Sequence, residues 1–152
     1  MPIVRTNDGA FFEHSFITTF EQTNVVGNIY FANFVVWQGG CREMFIQEYC
    51  PDVLEKINSG LKLITLDVSC QYLDQLYAFD KVVMHMNIGV LGAEKMMLQF
   101  RYYKEDNSGE RKLVCVGSQG TAAMQEIDGK VRAVPFPDSM LDTIDSYDMI
   151  EK

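Results

Sequence analysis

Asn24, Gly27, Phe31 and Arg42 are the residues of this chain whose types and spacing could do chemistry. The run Thr23-Asn24-Val25-Val26-Gly27-Asn28-Ile29-Tyr30-Phe31-Ala32-Asn33-Phe34 reads as a strand, a glycine-bearing loop and the start of a long helix. The first amides of a helix lack intrahelical acceptors and carry the positive end of its dipole. Such a terminus attracts negative charge, and the oxyanion formed in acyl transfer is one charge that could use it. Asn24 suits a tight turn, where its side chain bonds its own backbone. As an amide it is neither nucleophile nor general base, but its two donors and one acceptor can orient a water or hold a carbonyl. Gly27 permits a positive φ or close approach by a ligand, and equally serves as an ordinary turn glycine. Arg42 falls about three turns into the helix. It shares a face with Phe31, Val35, Gln38 and Ile46, where Glu43 or Glu48 could pair with it. Gly39-Gly40 in mid-helix costs about 1 kcal/mol per residue against alanine. That predicts close approach there by a strand, a second subunit or a substrate, with packing the plainest of the three.

Other candidate motifs fall away. Gly117-Ser118-Gln119-Gly120 lacks the glycine that a nucleophile elbow needs where Val116 stands, and it lies in a strand-like run. Cys41, Cys50, Cys70 and Cys115 are scattered singly, and His14 and His85 have no neighbouring ligand pair. Core thiols are the expectation, with no metal and no cofactor.

The elements that must position these residues follow from periodicity. His14 to Gln22 alternates as a half-buried strand through Phe16, Thr18 and Phe20. Tyr30 to Tyr49 carries Tyr30, Phe34, Trp37, Cys41, Met44 and Phe45 on one helical stripe. Pro51 ends that helix, and a short second one is expected from Asp52 to Ile57, closed by Asn58-Ser59-Gly60. Four strands follow, at Leu61 to Leu76, Asp80 to Leu91, Glu94 to Lys104 and Arg111 to Gln125, expected to be joined by hairpins. A terminal helix is expected from Asp138 to Ile144, capped by Asp138. The prediction is a two-layer α+β domain, an antiparallel sheet of about five strands around one long helix.

At 152 residues, 47% apolar and 22% charged, the chain is expected to form a single domain over 1–152 with a real core. A net charge of −8 argues against nucleic acid. No apolar run is long enough to span a membrane, and the first residues do not read as a signal peptide. A cytoplasmic location is the default expectation.

The Thr23 to Phe34 run resembles the signature of hot-dog-fold acyl thioesterases of the 4-hydroxybenzoyl-CoA type, in which an Asp stands where Asn24 is. Further along, Tyr72-Leu73-Asp74-Gln75-Leu76-Tyr77-Ala78-Phe79-Asp80 resembles the family's Tyr-x-x-Pro…Gly-Asp segment, with Gln75 and Phe79 replacing Pro and Gly. Phe100-Arg101-Tyr102 and Val134-Pro135-Phe136-Pro137 are similar to later family positions, so the resemblance covers roughly Ser15 to Leu141. It implies the hot-dog topology, a catalytic role for position 24 and the backbone N–H of Phe31 as oxyanion donor. Gly27, Tyr30 and Phe34 would then face the substrate, with Phe34 in place of a common family Tyr.

The block Trp37 to Phe45, taken with Thr23-Asn24, looks like the thioesterases of enediyne polyketide pathways. In that subgroup an Asn in the loop and an Arg on the helix replace the acid. The resemblance implies hydrolysis of a β-keto polyene thioester on an acyl carrier protein bearing phosphopantetheine. Attack by water would be supported by Asn24, Arg42 and the helix terminus. The active unit would be a homodimer or a homotetramer built as a dimer of dimers. Two alternatives stand: a general acyl-CoA thioesterase with Glu43 as base, and a non-catalytic acyl-binding accessory. Arg101, Lys104, Arg111 and Lys112 read either as a carrier-docking patch or as a solvated edge.

Overall fold

The computed structural model describes residues 3–6, 9–91 and 94–142. Its elements run β1 (Ile3–Thr6), β2 (Gly9–Ile17), a 3₁₀ turn (Phe20–Gln22), α1 (Ala32–Tyr49), α2 (Pro51–Asn58), β3 (Leu61–Tyr72), β4 (Lys81–Leu91), β5 (Lys95–Glu105), β6 (Arg111–Ile127) and β7 (Lys130–Ala133). A last helical turn spans 138–142, where the Pro137 carbonyl accepts from Met140 and Leu141 N–H. The expected helix residues 143–144 lie outside the described residues.

One antiparallel sheet has the order β1-β2-β4-β5-β6-β3, with β7 paired to β6. It therefore has seven strands where periodicity predicted about five. The two extra strands are four-residue pieces, too short to show an alternation of their own. The expectation that the four strands after the helices are joined by consecutive hairpins also needs correcting. β4-β5 and β5-β6 are hairpins, but β3 crosses over to pair with β6, from Leu61 opposite Gln125 to Tyr72 opposite Cys115. β2 fills the place beside β4 instead. Hairpins follow from local turn chemistry, whereas a pairing across some fifty residues leaves no mark on either strand alone.

The sheet curls around α1, which buries Phe34, Trp37, Gln38, Cys41, Phe45 and Ile46. Facing them are Phe12 from β2, Met84 and Met86 from β4, and Phe100 and Tyr102 from β5. Full burial of each large apolar side chain contributes about 2–3 kcal/mol. The helix starts at Ala32, two residues later than the apolar stripe suggested, and the Tyr30 amide before it donates to the Gln22 carbonyl (2.9 Å). Tyr30 is exposed. β2 likewise ends at Ile17, and Phe20 is exposed in the 3₁₀ turn, its ring edge-on to Phe79 at 5.0 Å. Pro51 is the first residue of α2, where its missing N–H costs nothing.

Candidate active site

The loop that carries Asn24 is closed by its own backbone. Asn24 N–H donates to the Asn28 carbonyl (2.9 Å), and Gly27 N–H donates to the Asn24 carbonyl (3.0 Å). Asn24 Oδ1 accepts from Val26 N–H (2.9 Å) and from Gly27 N–H (3.2 Å). The turn role is thus filled by the side-chain oxygen, and the Nδ2 donors keep no partner among the described residues. Gly27 has φ +101°, and nothing lies within 4 Å of the place a Cβ would take. Its glycine answers to backbone conformation, not to a close neighbour.

Phe31 is the N-cap of α1, with helical φ −56° and ψ −33°. Its N–H donates to no group among the described residues, while Asn33 N–H and Phe34 N–H turn back to the carbonyls of Tyr30 and Phe31. Two tyrosine hydroxyls pin this first turn to the sheet. Tyr72 donates to the Phe31 carbonyl (2.8 Å) and Tyr102 to the Phe34 carbonyl (2.7 Å). Phe31, Phe34, Tyr72 and Gln75 line a cavity of about 210 Å³ at the helix terminus. A free amide at the positive end of an 18-residue helix, beside a small cavity, can stabilise an oxyanion. Asn24, Gly27 and Tyr30 do not line this cavity.

Arg42 lies eleven residues beyond Phe31, about 16 Å along the helix axis. Its Nη1 donates to Gln119 Oε1 (2.8 Å), Thr65 Oγ1 (3.2 Å) and Thr121 Oγ1 (3.3 Å), joining α1 to β3 and β6. Its Nε is buried without a partner. The expected pairing with Glu43 or Glu48 is not made; neutral acceptors take the guanidinium instead. Burial lowers the Arg42 pKa, partly offset by the Glu43 carboxylate nearby. Arg42 and the exposed Glu43 share a cleft of about 400 Å³ whose other walls include Ile46, Leu54 and Leu63. One chain therefore groups Phe31 with Phe34 and Arg42 with Glu43, and brings Arg42 to neither Asn24 nor Phe31.

The space over Gly39 and Gly40 is open: beyond the helix's own adjoining backbone, nothing among the described residues lies within 4 Å of either added Cβ. Of the three expected neighbours, a strand of this chain is not found there among the described residues, which leaves a second subunit or a substrate. The basic hairpin is not a free patch either. Lys104 pairs with Asp80 (3.3 Å), Arg111 with Glu13 and Glu105 (both 2.9 Å), and Lys112 with Asp74.

Sequence reasoning overlooked Gln38 and Cys70. Gln38 is fully buried, and its Nε2 donates to the Ser69 carbonyl (3.0 Å) and to Cys70 Sγ (3.4 Å). Cys70 and Cys115 lie on the same face of paired strands, offset by two residues. The neighbouring Cys115 thiol outweighs partial burial and brings Cys70 down to about 6, whereas Cys115 is pushed up. Burial pushes Cys41 up as well. The spacing Cys70-x-Tyr72 on one face of β3 was the available signal. At pH 7, iodoacetamide is expected to label Cys70 about tenfold faster than Cys41, Cys50 or Cys115. Peptide mass spectrometry of the alkylated chain checks this, and labelling at equal rates would refute it.

Among the described residues no group of three acidic, histidine or cysteine side chains could hold a metal ion, and no helix is long and apolar enough to cross a membrane.

Among curated proteins no significant match is found. Solved structures are informative. The dynemicin thioesterase, crystallised in a study of polyene binding, is 31% identical over 90% of this chain and 96% of that one, with a TM-score of 0.86. The 4-hydroxybenzoyl CoA thioesterase of Pseudomonas sp. strain CBS-3 shares the fold at 10% identity, covering 87% and 97% of the two chains at TM-score 0.76. A Staphylococcus aureus protein in complex with CoA does so at 19% identity, covering 95% and 87% at TM-score 0.82. The architecture is the hot-dog fold, as the signature around Asn24 led one to expect. The thioesterase-like superfamily model matches residues 18–144. That span takes in the loop, α1 and all the strands from β3 to β7, so the chain belongs to the thioesterase-like superfamily and is a thioester hydrolase.

Proposed function

We propose that the enzyme releases a polyketide acid of the β-keto polyene type from the acyl carrier protein of an enediyne polyketide synthase. The observation that carries the reading is the acceptor-free Phe31 amide at the start of α1, in a chain whose loop has an amide and not a carboxylate at position 24. A water oxygen attacks the thioester carbon, and the carbonyl oxygen takes up the charge against Phe31 N–H and the helix dipole. The tetrahedral intermediate collapses by breaking the C–S bond, and the pantetheine thiolate leaves and is protonated. Asn24 Nδ2 positions the carbonyl or the water, a backbone carbonyl accepts a hydrogen bond from that water, the proton the water loses ends on the departing thiolate, and Arg42 adds positive charge.

This assignment needs two copies of the chain. About 16 Å of helix separates Arg42 from Phe31, so the Arg42 that serves a Phe31 amide comes from the other subunit. β3, whose outer edge pairs with no strand among the described residues, supports a homodimer, which can pair into a homotetramer. The polyene named for the dynemicin thioesterase supports the substrate class.

The test is turnover of carrier-bound and CoA-bound β-keto acyl thioesters by the wild type and Glu43→Gln. Release of free acid by both proteins, faster from the carrier, is expected. Collapse in Glu43→Gln would make the helix carboxylate the base. No turnover by the wild type would leave an acyl-binding accessory.

A further inference from the structure

The cavity beside the Phe31 amide has four polar side chains in its wall, those of Asn28, Tyr72, Asp74 and Gln75. Three of them are engaged. The Tyr72 hydroxyl donates to the Phe31 carbonyl (2.8 Å), Asp74 accepts from Gln75 N–H (2.8 Å) and pairs with Lys112, and Gln75 Oε1 accepts from the Tyr77 hydroxyl (2.8 Å). The Asn28 side chain bonds to nothing among the described residues.

The backbone holds Asn28 in place all the same. Its carbonyl accepts from Asn24 N–H (2.9 Å), it forms a β-bridge with Tyr77, and beside it Ile29 N–H donates to the Leu76 carbonyl (2.7 Å). The residue is half-buried, and its Oδ1 is sealed from solvent with no donor to meet it. A buried acceptor left unmade is costly, so such a group in a native fold calls for a role other than stability. With the oxygen sealed, Nδ2 is the end left to face a ligand, and its two N–H groups find no acceptor among the described residues. A backbone so fixed gives the amide the preorganisation that stabilising charge in a transition state requires.

We infer that Asn28 is a catalytic residue, its Nδ2 donating to the same oxyanion as the Phe31 N–H. The inference rests on the thioesterase reading above and adds a side chain that lines the cavity, which Asn24 does not. An oxyanion carries more lone pairs than the Phe31 amide can meet, and Asn28, three residues ahead on the same wall, supplies the second donor. As water attacks, the thioester C=O bond opens to C–O⁻, and the hydrogen bond from Nδ2 to that oxygen strengthens. When the C–S bond breaks, the C=O bond reforms and the hydrogen bond relaxes. Asn28 neither gives up nor takes a proton.

The experiment measures hydrolysis of one β-keto acyl group, presented as its carrier and CoA thioesters, by the wild type, Asn28→Ala and Asn28→Asp, with a thermal melt of each protein. Asn28→Ala is expected to lower kcat about 10²-fold with KM within about twofold of wild type, the pattern of a bond made in the transition state. No fall in Tm is expected, because the side chain makes no bond to lose. Asn28→Asp keeps the shape but, once ionised, has only acceptors, so at about pH 8 it should lose at least as much. Acid protonates that carboxyl and restores an O–H donor, so the kcat of Asn28→Asp relative to wild type should rise as the pH falls to about 5. A merely structural role would not produce that rise. Wild-type kcat in Asn28→Ala overturns the inference while leaving the enzyme a thioesterase. A gain in rate by Asn28→Asp at about pH 8 also overturns it, because the side chain would then be accepting from the water. A wild type inactive on both thioesters removes the proposed function and this inference together.

Discussion

Arg42→Ala is expected to lower kcat by about 10²–10³, the usual loss when a group stabilising an oxyanion is removed, with little change in thermal stability. The two parts of that expectation separate the roles. A guanidinium half-buried against Thr65, Gln119 and Thr121, with a buried Nε that bonds to nothing, is a poor device for stability. Burying charge without a carboxylate carries a desolvation cost that neutral acceptors only partly offset. Removing it leaves Gln119 Oε1 still accepting from the Thr121 hydroxyl (3.4 Å). Thr65 lies on an exposed stretch of β3 and can turn to water. Arg42→Lys is not expected to restore turnover, because a single ammonium cannot serve those acceptors and still face substrate. Circular dichroism melting beside single-turnover hydrolysis reads both parts. Full activity in Arg42→Ala would remove the residue from the mechanism, and a large fall in Tm would make it structural.

The largest stability effect is expected at Gly117. It lies on β6 opposite Cys70, directly beneath the buried Gln38. A Cβ there would stand 2.5 Å from Gln38 Nε2 and 2.7 Å from the Ser69 carbonyl oxygen. Gln38 could swing away only by giving up its bond to that same carbonyl, and the carbonyl belongs to the backbone of β3. Gly117→Val should therefore cost about 3 kcal/mol through overpacking, roughly a 10 °C fall in Tm for a chain of this size. Adding Gln38→Ala should recover only part of the loss, since the Ser69 contact remains. A Tm within a degree of the wild type would show that β3 and β6 yield more easily than their register implies.

These two positions also show what could be read from the sequence and what could not. α1 was legible because Phe34, Trp37, Cys41 and Phe45 repeat at helical spacing, and the β4-β5 and β5-β6 hairpins because turn residues separate alternating runs. The Asn24 turn was legible from residue type alone. The pairing of β3 with β6 was not, and everything that depends on it was lost with it. That includes the acceptors of Arg42 on Thr65, Gln119 and Thr121, the seat of Gln38 over Gly117, and the neighbouring thiols of Cys70 and Cys115. The ion pairs of the β5-β6 hairpin were out of reach for a related reason, since Glu13 and Asp74 come from distant segments to pair with it. Composition counts charges but does not say which of them meet.

The outer edge of β3 has one more consequence. Twelve residues of strand, with Leu66 and Val68 each more than two-fifths exposed, present a row of backbone donors and acceptors along a flank that no charge guards but Lys62 and Asp67. In the homodimer proposed above this border is covered by a second copy, which would couple the folding equilibrium to the concentration of the chain. Mass action would then favour the native state at high concentration and withdraw that support on dilution. On that reading the surface that completes the catalytic unit also sets a lower limit on the abundance at which the protein keeps its working form.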